Sequence, residues 1–267
     1  MIEHNNTSIF PSIELAACEP NGLLAQGGTL DTEMLVDAYA HGIFPWPTEM
    51  EDGNFRLLWW SPDPRTVLRP EGFHCSRSLG KSLRNGGFRL SMNRCFERVI
   101  ANCAAVNREQ STVQNRALVE TLSTSDMTTP SGGSHSWITD SMRSAYCELH
   151  RLGFAHSIEV WREQELVGGL YGLTVGRLFC GESMFHLASD ASKVAFYALS
   201  EHMRAIDWPL IDCQVENPHL SSLGAIELSR DEFKTYLPRL YPGWQNDMSG
   251  LLPAGNFDDL RTSLALL

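Results

Sequence analysis

The chain of 267 residues has no apolar run approaching the roughly 18 residues of a membrane-spanning helix. It has no Cys-x-x-Cys pair and no cysteine and histidine set at zinc spacing. Its first residues, Met1-Ile2-Glu3-His4-Asn5-Asn6, lack the basic and apolar stretches of a secretory leader. These absences argue against a membrane protein, a metal-built domain and a secreted one. The seven cysteines are odd in number and scattered, which reads as reduced thiols in a cytoplasmic protein.

Basic residues are also scarce: 21 Lys and Arg stand against 32 Asp and Glu, a net charge of −11, which by itself argues against a nucleic-acid binder. Their placement argues the other way. Residues 56–116 hold eleven of the basic residues and four acids (Asp63, Glu71, Glu97, Glu109), a local charge of +7 against −18 for the remainder. Such an island is either the footprint of a locally held phosphate backbone or a solvated face with uneven charge placement. With 43% apolar residues the chain supports one large domain, or a domain plus a smaller module.

The turn-rich segment 1–59 offers one helix, from the cap candidate Asp31 through Tyr39. Phe88–Met92 alternates as a strand, and Phe96 to Ala104 has a helical pattern. Residues 106–136 carry eleven Ser or Thr together with Pro130 and Gly132-Gly133, the composition of an insertion. Thr139 caps a predicted helix reaching Leu152 and stopped by Gly153. Then come strands at Ser157–Trp161, Leu166–Val175 and Arg177–Phe185, a helix from Ser189 or Asp190 to about Ile206, and a strand at Leu210–Val215. Ser229 and Glu232 have capping-box spacing for a last short helix. Three antiparallel strands, a helix and a further strand is the order of N-acetyltransferase-like (GNAT) domains. After Leu237, glycine and proline predict a loosely packed tail.

Six segments carry a family likeness: Glu19-Pro20-Asn21-Gly22-Leu23-Leu24-Ala25, Gly42-Ile43-Phe44-Pro45-Trp46, Leu58-Trp59-Trp60-Ser61-Pro62-Asp63-Pro64-Arg65, His156-Ser157-Ile158-Glu159-Val160-Trp161, Phe179-Cys180-Gly181-Glu182-Ser183-Met184-Phe185, and Leu210-Ile211-Asp212-Cys213-Gln214-Val215. In this order they closely resemble the bacterial leucyl/phenylalanyl-tRNA–protein transferases, over about residues 10 to 240. The insertion at 106–136 and the tail depart from the family pattern. The resemblance implies an α+β fold: a small N-terminal domain (1–59) and a GNAT-like C-terminal domain (60–240) with a mixed, mainly antiparallel sheet, followed by the tail 241–267. It implies aminoacyl transfer from Leu-tRNA or Phe-tRNA to the α-amine of proteins beginning with Arg or Lys, which tags them for degradation. No membrane or DNA partner is expected.

An aminoacyl ester is already activated, so the reaction needs positioning, help with amine deprotonation and oxyanion stabilisation, and no cofactor or metal. Asp212 and Gln214 lie two apart in a predicted strand and so share a face. With Asn217, just past the strand, they match the family's proposed catalytic group; the residues alone leave open that Asp212 merely satisfies backbone amides. Glu182 matches a substrate-binding acid, though a structural salt bridge fits the sequence equally well. Trp46, Trp137 and Tyr146 match the substrate-site aromatics, and Leu170 and Met184, with neighbours such as Ile211, the pocket for an apolar side chain. Gly168, Gly169 and Gly172 predict a bulge, close ligand approach or packing against a helix. Arg77, Lys81 and Arg84, at helical spacing in the basic island, match positions that hold the tRNA acceptor stem.

Two rivals remain. An acyl-CoA N-acetyltransferase would carry a glycine-rich pyrophosphate loop where this chain reads His186-Leu187-Ala188-Ser189-Asp190-Ala191. A tRNA-binding module without activity would not need Asp212, Gln214 and Glu182 intact.

Overall fold

A computed structural model describes residues 8–49, 55–105 and 137–238. The insertion predicted at 106–136 and the tail predicted at 241–267 lie outside them.

The N-terminal part is a three-stranded antiparallel sheet with strand order β1 (Leu23–Gln26), β3 (Phe55–Trp60), β2 (Phe44–Glu49). Helix α1 (Thr32–Ala40) starts at the predicted cap, where the Asp31 carboxylate accepts the Met34 N–H at 2.9 Å. Its buried face, Leu35, Val36, Ala38 and Tyr39, joins Phe44, Trp59 and Trp60 in one apolar cluster with Tyr146, Tyr171 and Leu173 from the second half of the chain. Burying each such large side chain contributes about 1.5–3 kcal/mol, and here the same burial presses the two sheets' elements together.

Among the described residues the larger sheet has seven strands. In chain order they are β4 (Arg65–Leu68), β5 (Phe88–Met92), β6 (Ala155–Arg162), β7 (Glu165–Val175), β8 (Leu178–His186), β9 (Leu210–Gln214) and β10 (Ile226–Leu228). Their spatial order is β10-β4-β9-β8-β7-β6-β5. Every pair is antiparallel except β8 with β9. Helix α5 (Ala191–Ala205) is the crossover that makes this one parallel pair possible. Three antiparallel strands, a helix and a parallel strand reproduce the GNAT-like order predicted from the sequence.

The remaining helices are α2 (Arg77–Asn85), α3 (residues 96–105), α4 (Asp140–Arg151), α6 (Pro218–Ser222) and α7 (Arg230–Lys234). Thr139 caps α4, with its hydroxyl accepting the Met142 N–H at 3.2 Å, and Ser229 with Glu232 forms the capping box of α7. None of the helices in the described residues is long and apolar enough to cross a membrane.

The β7 glycines are explained by packing inside the protein. A Cβ on Gly168 would stand 2.5 Å from the Ala191 Cβ, so the glycine lets α5 lie close on the strand. A Cβ on Gly172 would meet the Cys180 carbonyl oxygen at 2.2 Å, and the β7–β8 register shifts between Tyr171 and Gly172.

Candidate active site

The register of the parallel pair creates the site. β8 and β9 pair at Leu178–Leu210, Phe179–Ile211 and Cys180–Asp212 and then part. β8 continues to His186, whereas β9 ends at Gln214, whose φ of +65° turns the chain toward α6. A cleft of about 1150 Å³ opens there, walled on one side by Gly181–Met184 and His186 and on the other by residues 213–220. Trp46, Trp137, Leu170, Phe179, Met184, Phe196 and Leu199 are among its apolar lining residues.

Glu182, two residues past the last paired position, is its polar centre. Its Oε1 accepts from the Tyr39 hydroxyl at 2.7 Å and the Gln214 side-chain amide at 2.9 Å, and its Oε2 from the Tyr146 hydroxyl at 3.0 Å. The Tyr39 and Tyr146 hydroxyls also touch each other. Burial pushes the Glu182 carboxyl up to about 7, with the nearby Asp212 charge adding to the rise and the three donors opposing it. The group is therefore built to hold or release a proton near neutral pH.

Asp212 lies beneath the cleft. Both carboxylate oxygens face Arg65, with Nε donating to Oδ1 at 2.8 Å and Nη2 to Oδ2 at 2.7 Å, and each side chain is 1% exposed. Oδ1 also accepts the Gln214 backbone N–H at 3.0 Å, which holds the left-handed turn there. Arg65 is itself fixed, donating to the Gly42 carbonyl and lying over the Phe44 and Phe233 rings at 4.8 and 4.9 Å.

Of the residues singled out in the sequence, Trp46, Trp137, Leu170, Glu182, Met184, Gln214 and Asn217 line the cleft. Trp46 and Trp137 stand 6.1 Å apart at 50°. Leu170 and Met184 are register partners on β7 and β8. The Asn217 side chain caps α6, accepting the Leu220 N–H at 2.9 Å. Asp212 and Ile211 are buried under the floor, and Tyr146 is buried with only its hydroxyl engaged on the site, so its ring face is not open for stacking. Arg77, Lys81 and Arg84 are exposed on α2. That helix meets the cleft rim through the Ser82 hydroxyl, which donates to Asp190 at 2.8 Å.

Sequence reasoning missed Tyr39 and Arg65. Arg65 ends one of the quoted family segments, but neither residue carried a local sign of chemistry, because each acts on a carboxylate more than a hundred residues away.

Comparison with known proteins adds an independent line. The family model described as leucyl/phenylalanyl-tRNA protein transferase matches residues 67–122 and 114–238, and the model of that family's N-terminal domain matches residues 28–63. A leucyl/phenylalanyl-tRNA–protein transferase of Pseudomonas entomophila is 54% identical over 230 residues, covering 86% of this chain and 90% of that protein. The protein of the same name from Pseudomonas putida is 51% identical over the same span and shares. A conserved protein of unknown function from Bacteroides thetaiotaomicron aligns in structure with a TM-score of 0.37 at 10% identity, over 79% of this chain and 65% of that one.

Proposed function

The chain belongs to the leucyl/phenylalanyl-tRNA–protein transferase family, and we propose that it moves leucine or phenylalanine from aminoacyl-tRNA to the N-terminal α-amine of proteins beginning with Arg or Lys. The transfer takes place in the cytoplasm and marks the acceptor for degradation.

What carries this reading is the Glu182 carboxyl, pushed up to about 7 beside the apolar, tryptophan-lined part of the cleft. The donor's amino-acid side chain lies against Leu170 and Met184, and Trp46 and Trp137 hold the terminal adenosine by stacking, which contributes roughly 1–3 kcal/mol per base. The acceptor amine attacks the ester carbonyl. A C–N bond forms, the C–O bond to the ribose breaks, and the proton lost by the amine reaches the ribose oxygen. Glu182 takes and returns that proton, with Tyr39 and Tyr146 holding its carboxylate before the first transfer and after the second. Gln214 orients Glu182, and Asn217 places the ester. Asp212 touches no reacting atom in this scheme; it is a positioning residue that acts through the Gln214 backbone. Glu216, exposed on the cleft wall, is complementary to a cationic first side chain. The basic face of α2 holds the acceptor stem through phosphates, which carry little sequence information, so selection rests on the esterified amino acid.

The test is direct. Purified protein is incubated with a peptide beginning with Arg and with labelled Leu-tRNA, Phe-tRNA or acetyl-CoA. Label is expected in the peptide from the two tRNAs only; transfer from acetyl-CoA alone would replace this reading with acetyl transfer.

A further inference from the structure

The same cleft contains a lysine and two histidines that amide formation does not use. His186 lies four residues beyond Glu182, about 13 Å along the strand, with its Nδ1 3.5 Å from the Ser192 hydroxyl in the first turn of α5. Lys193, on the same turn, donates to Asp190 at 3.2 Å, and Asp190 accepts from Ser82 of α2 with its other oxygen. An ammonium has three donors, so this contact leaves Lys193 two more. His219 of α6 stands close to both. Burial first, then the neighbouring Lys193 and His186, hold its proton affinity below the usual imidazole range, which leaves it a neutral ring with one N–H to donate. His186, Ser192, Lys193 and His219 all line the cleft. The first turn of α5 contains no acid, and its N-terminus has no side-chain cap, so the positive end of a 15-residue helix adds to the same field.

We propose that Lys193, His186 and His219 form a subsite for a phosphodiester: the one joining the terminal adenosine of the donor RNA to the nucleotide before it. This rests on the tRNA-donor reading above. A nucleoside esterified at its 3′ end carries the reacting ester on one side of the ribose and the 5′-phosphate on the other. With the ester at Glu182, the first phosphate must meet the cleft wall on the strand's way out. Lys193 from α5 lines the cleft there together with the imidazoles of His186 from β8 and His219 from α6. The Ser82–Asp190 hydrogen bond then joins this point to α2, whose exposed Arg77, Lys81 and Arg84 continue the positive track outside the cleft. Asp190, the one acid among these groups, is occupied by Ser82 and Lys193 and so holds the lysine in place.

The experiment compares donors that differ by one charge: leucyl-adenosine, leucyl-cytidylyl-adenosine, and the same dinucleotide with a neutral methylphosphonate link. For the wild-type protein, kcat/KM should rise about tenfold or more from the first donor to the second, the scale of a hydrogen bond to a charged group, and fall back with the third. Lys193→Gln and His219→Asn should abolish the rise and leave leucyl-adenosine unaffected, while Lys193→Arg keeps it. Calorimetry with the unacylated dinucleotide should show the same order of binding without any chemistry. A rise that survives in both neutral variants overturns the subsite, as does equal loss with all donors. Coenzyme A presents phosphate as well, and displacement of the dinucleotide by equimolar coenzyme A would assign the cluster to that ligand instead. If the folded wild-type protein transfers from none of the three donors or from whole Leu-tRNA, the donor reading itself fails, an outcome separate from a lost phosphate effect in an active enzyme.

Discussion

Arg65 and Asp212 are 147 residues apart in the chain and form a two-pronged ion pair sealed from solvent under the cleft. Removing one partner leaves a buried charge, which typically costs 3–5 kcal/mol, whereas replacing both with apolar residues of similar volume is often neutral. Asp212→Asn should therefore lower the unfolding midpoint sharply as well as the transfer rate. The double variant Arg65→Met/Asp212→Leu should recover most of the stability but little of the activity, because the Gln214 backbone still lacks its acceptor. Recovery of both would mean that the pair serves the fold alone.

Glu182 sets a pH dependence. If the carboxylate is the form that accepts the amine's proton, transfer should rise as pH passes about 7. Glu182→Gln should lose that limb, leaving only the titration of the acceptor amine. The same group has a stability signature. Its folded-state affinity for a proton exceeds the ordinary value of 4.5, so between there and about 7 the folded state binds more protons and stability falls as pH rises. Buried His156, pushed down to about 4, has the opposite slope from its ordinary 6.5 downward. The informative quantity is thus the wild-type midpoint minus that of Glu182→Gln, measured from pH 4 to 8. A flat difference would refute the assignment.

Tyr39 and Tyr146 hold the ionised form of Glu182, and each donor lost should raise its proton affinity further. Tyr39→Phe and Tyr146→Phe should each move the rising limb of the pH profile to higher pH, with a smaller effect on the rate at its plateau. An unmoved limb accompanied by a lower plateau would make the tyrosines packing residues only.

Neutralising Arg77, Lys81 or Arg84 should weaken tRNA binding and reduce the log–log salt slope by about one each. Transfer from leucyl-adenosine should survive, since none of the three lines the cleft. Equal loss on both donors would place α2 in the fold or the site rather than on the RNA.

Gly168→Ala should destabilise the protein by about 1–3 kcal/mol, the usual cost of overpacking a well-filled interior. Its new methyl would stand 2.5 Å from the Ala191 Cβ, and α5 must move to admit it. Thermal unfolding measures the loss; an unchanged midpoint would show that the helix shifts freely.

Much of the fold was legible in the sequence because its signals are local. Asp31, Thr139 and the Ser229/Glu232 pair cap the helices they were expected to cap, alternation placed β5 and β6, and the turns at 162–165 and Gly176 bounded β7 and β8. The order of elements along the chain then determined the GNAT-like sheet, since a parallel neighbour for β8 needs a crossover of helical length. The family likeness also singled out seven residues that line the cleft. Asp190 is instructive at the border: it stands at the expected N-terminus of α5, yet its carboxylate turns to Ser82 and Lys193 instead of capping the helix.

The tertiary structure decided how those groups act. Two side chains two apart in a strand share a face only while the strand stays regular, and the φ of +65° at Gln214 ends that regularity, sending its amide to Glu182 while Asp212 pairs with Arg65 below. Tyr146 could be named as a site aromatic from the sequence, but only packing made it a hydroxyl donor with a buried ring. The proton affinity of Glu182 is the clearest case, for it comes from burial and from partners that α1, α4 and β9 bring in from three separate parts of the chain. Caps and periodicity depend on neighbours within a few residues, whereas desolvation and charge depend on everything within a few ångströms, and only the folded chain sets that.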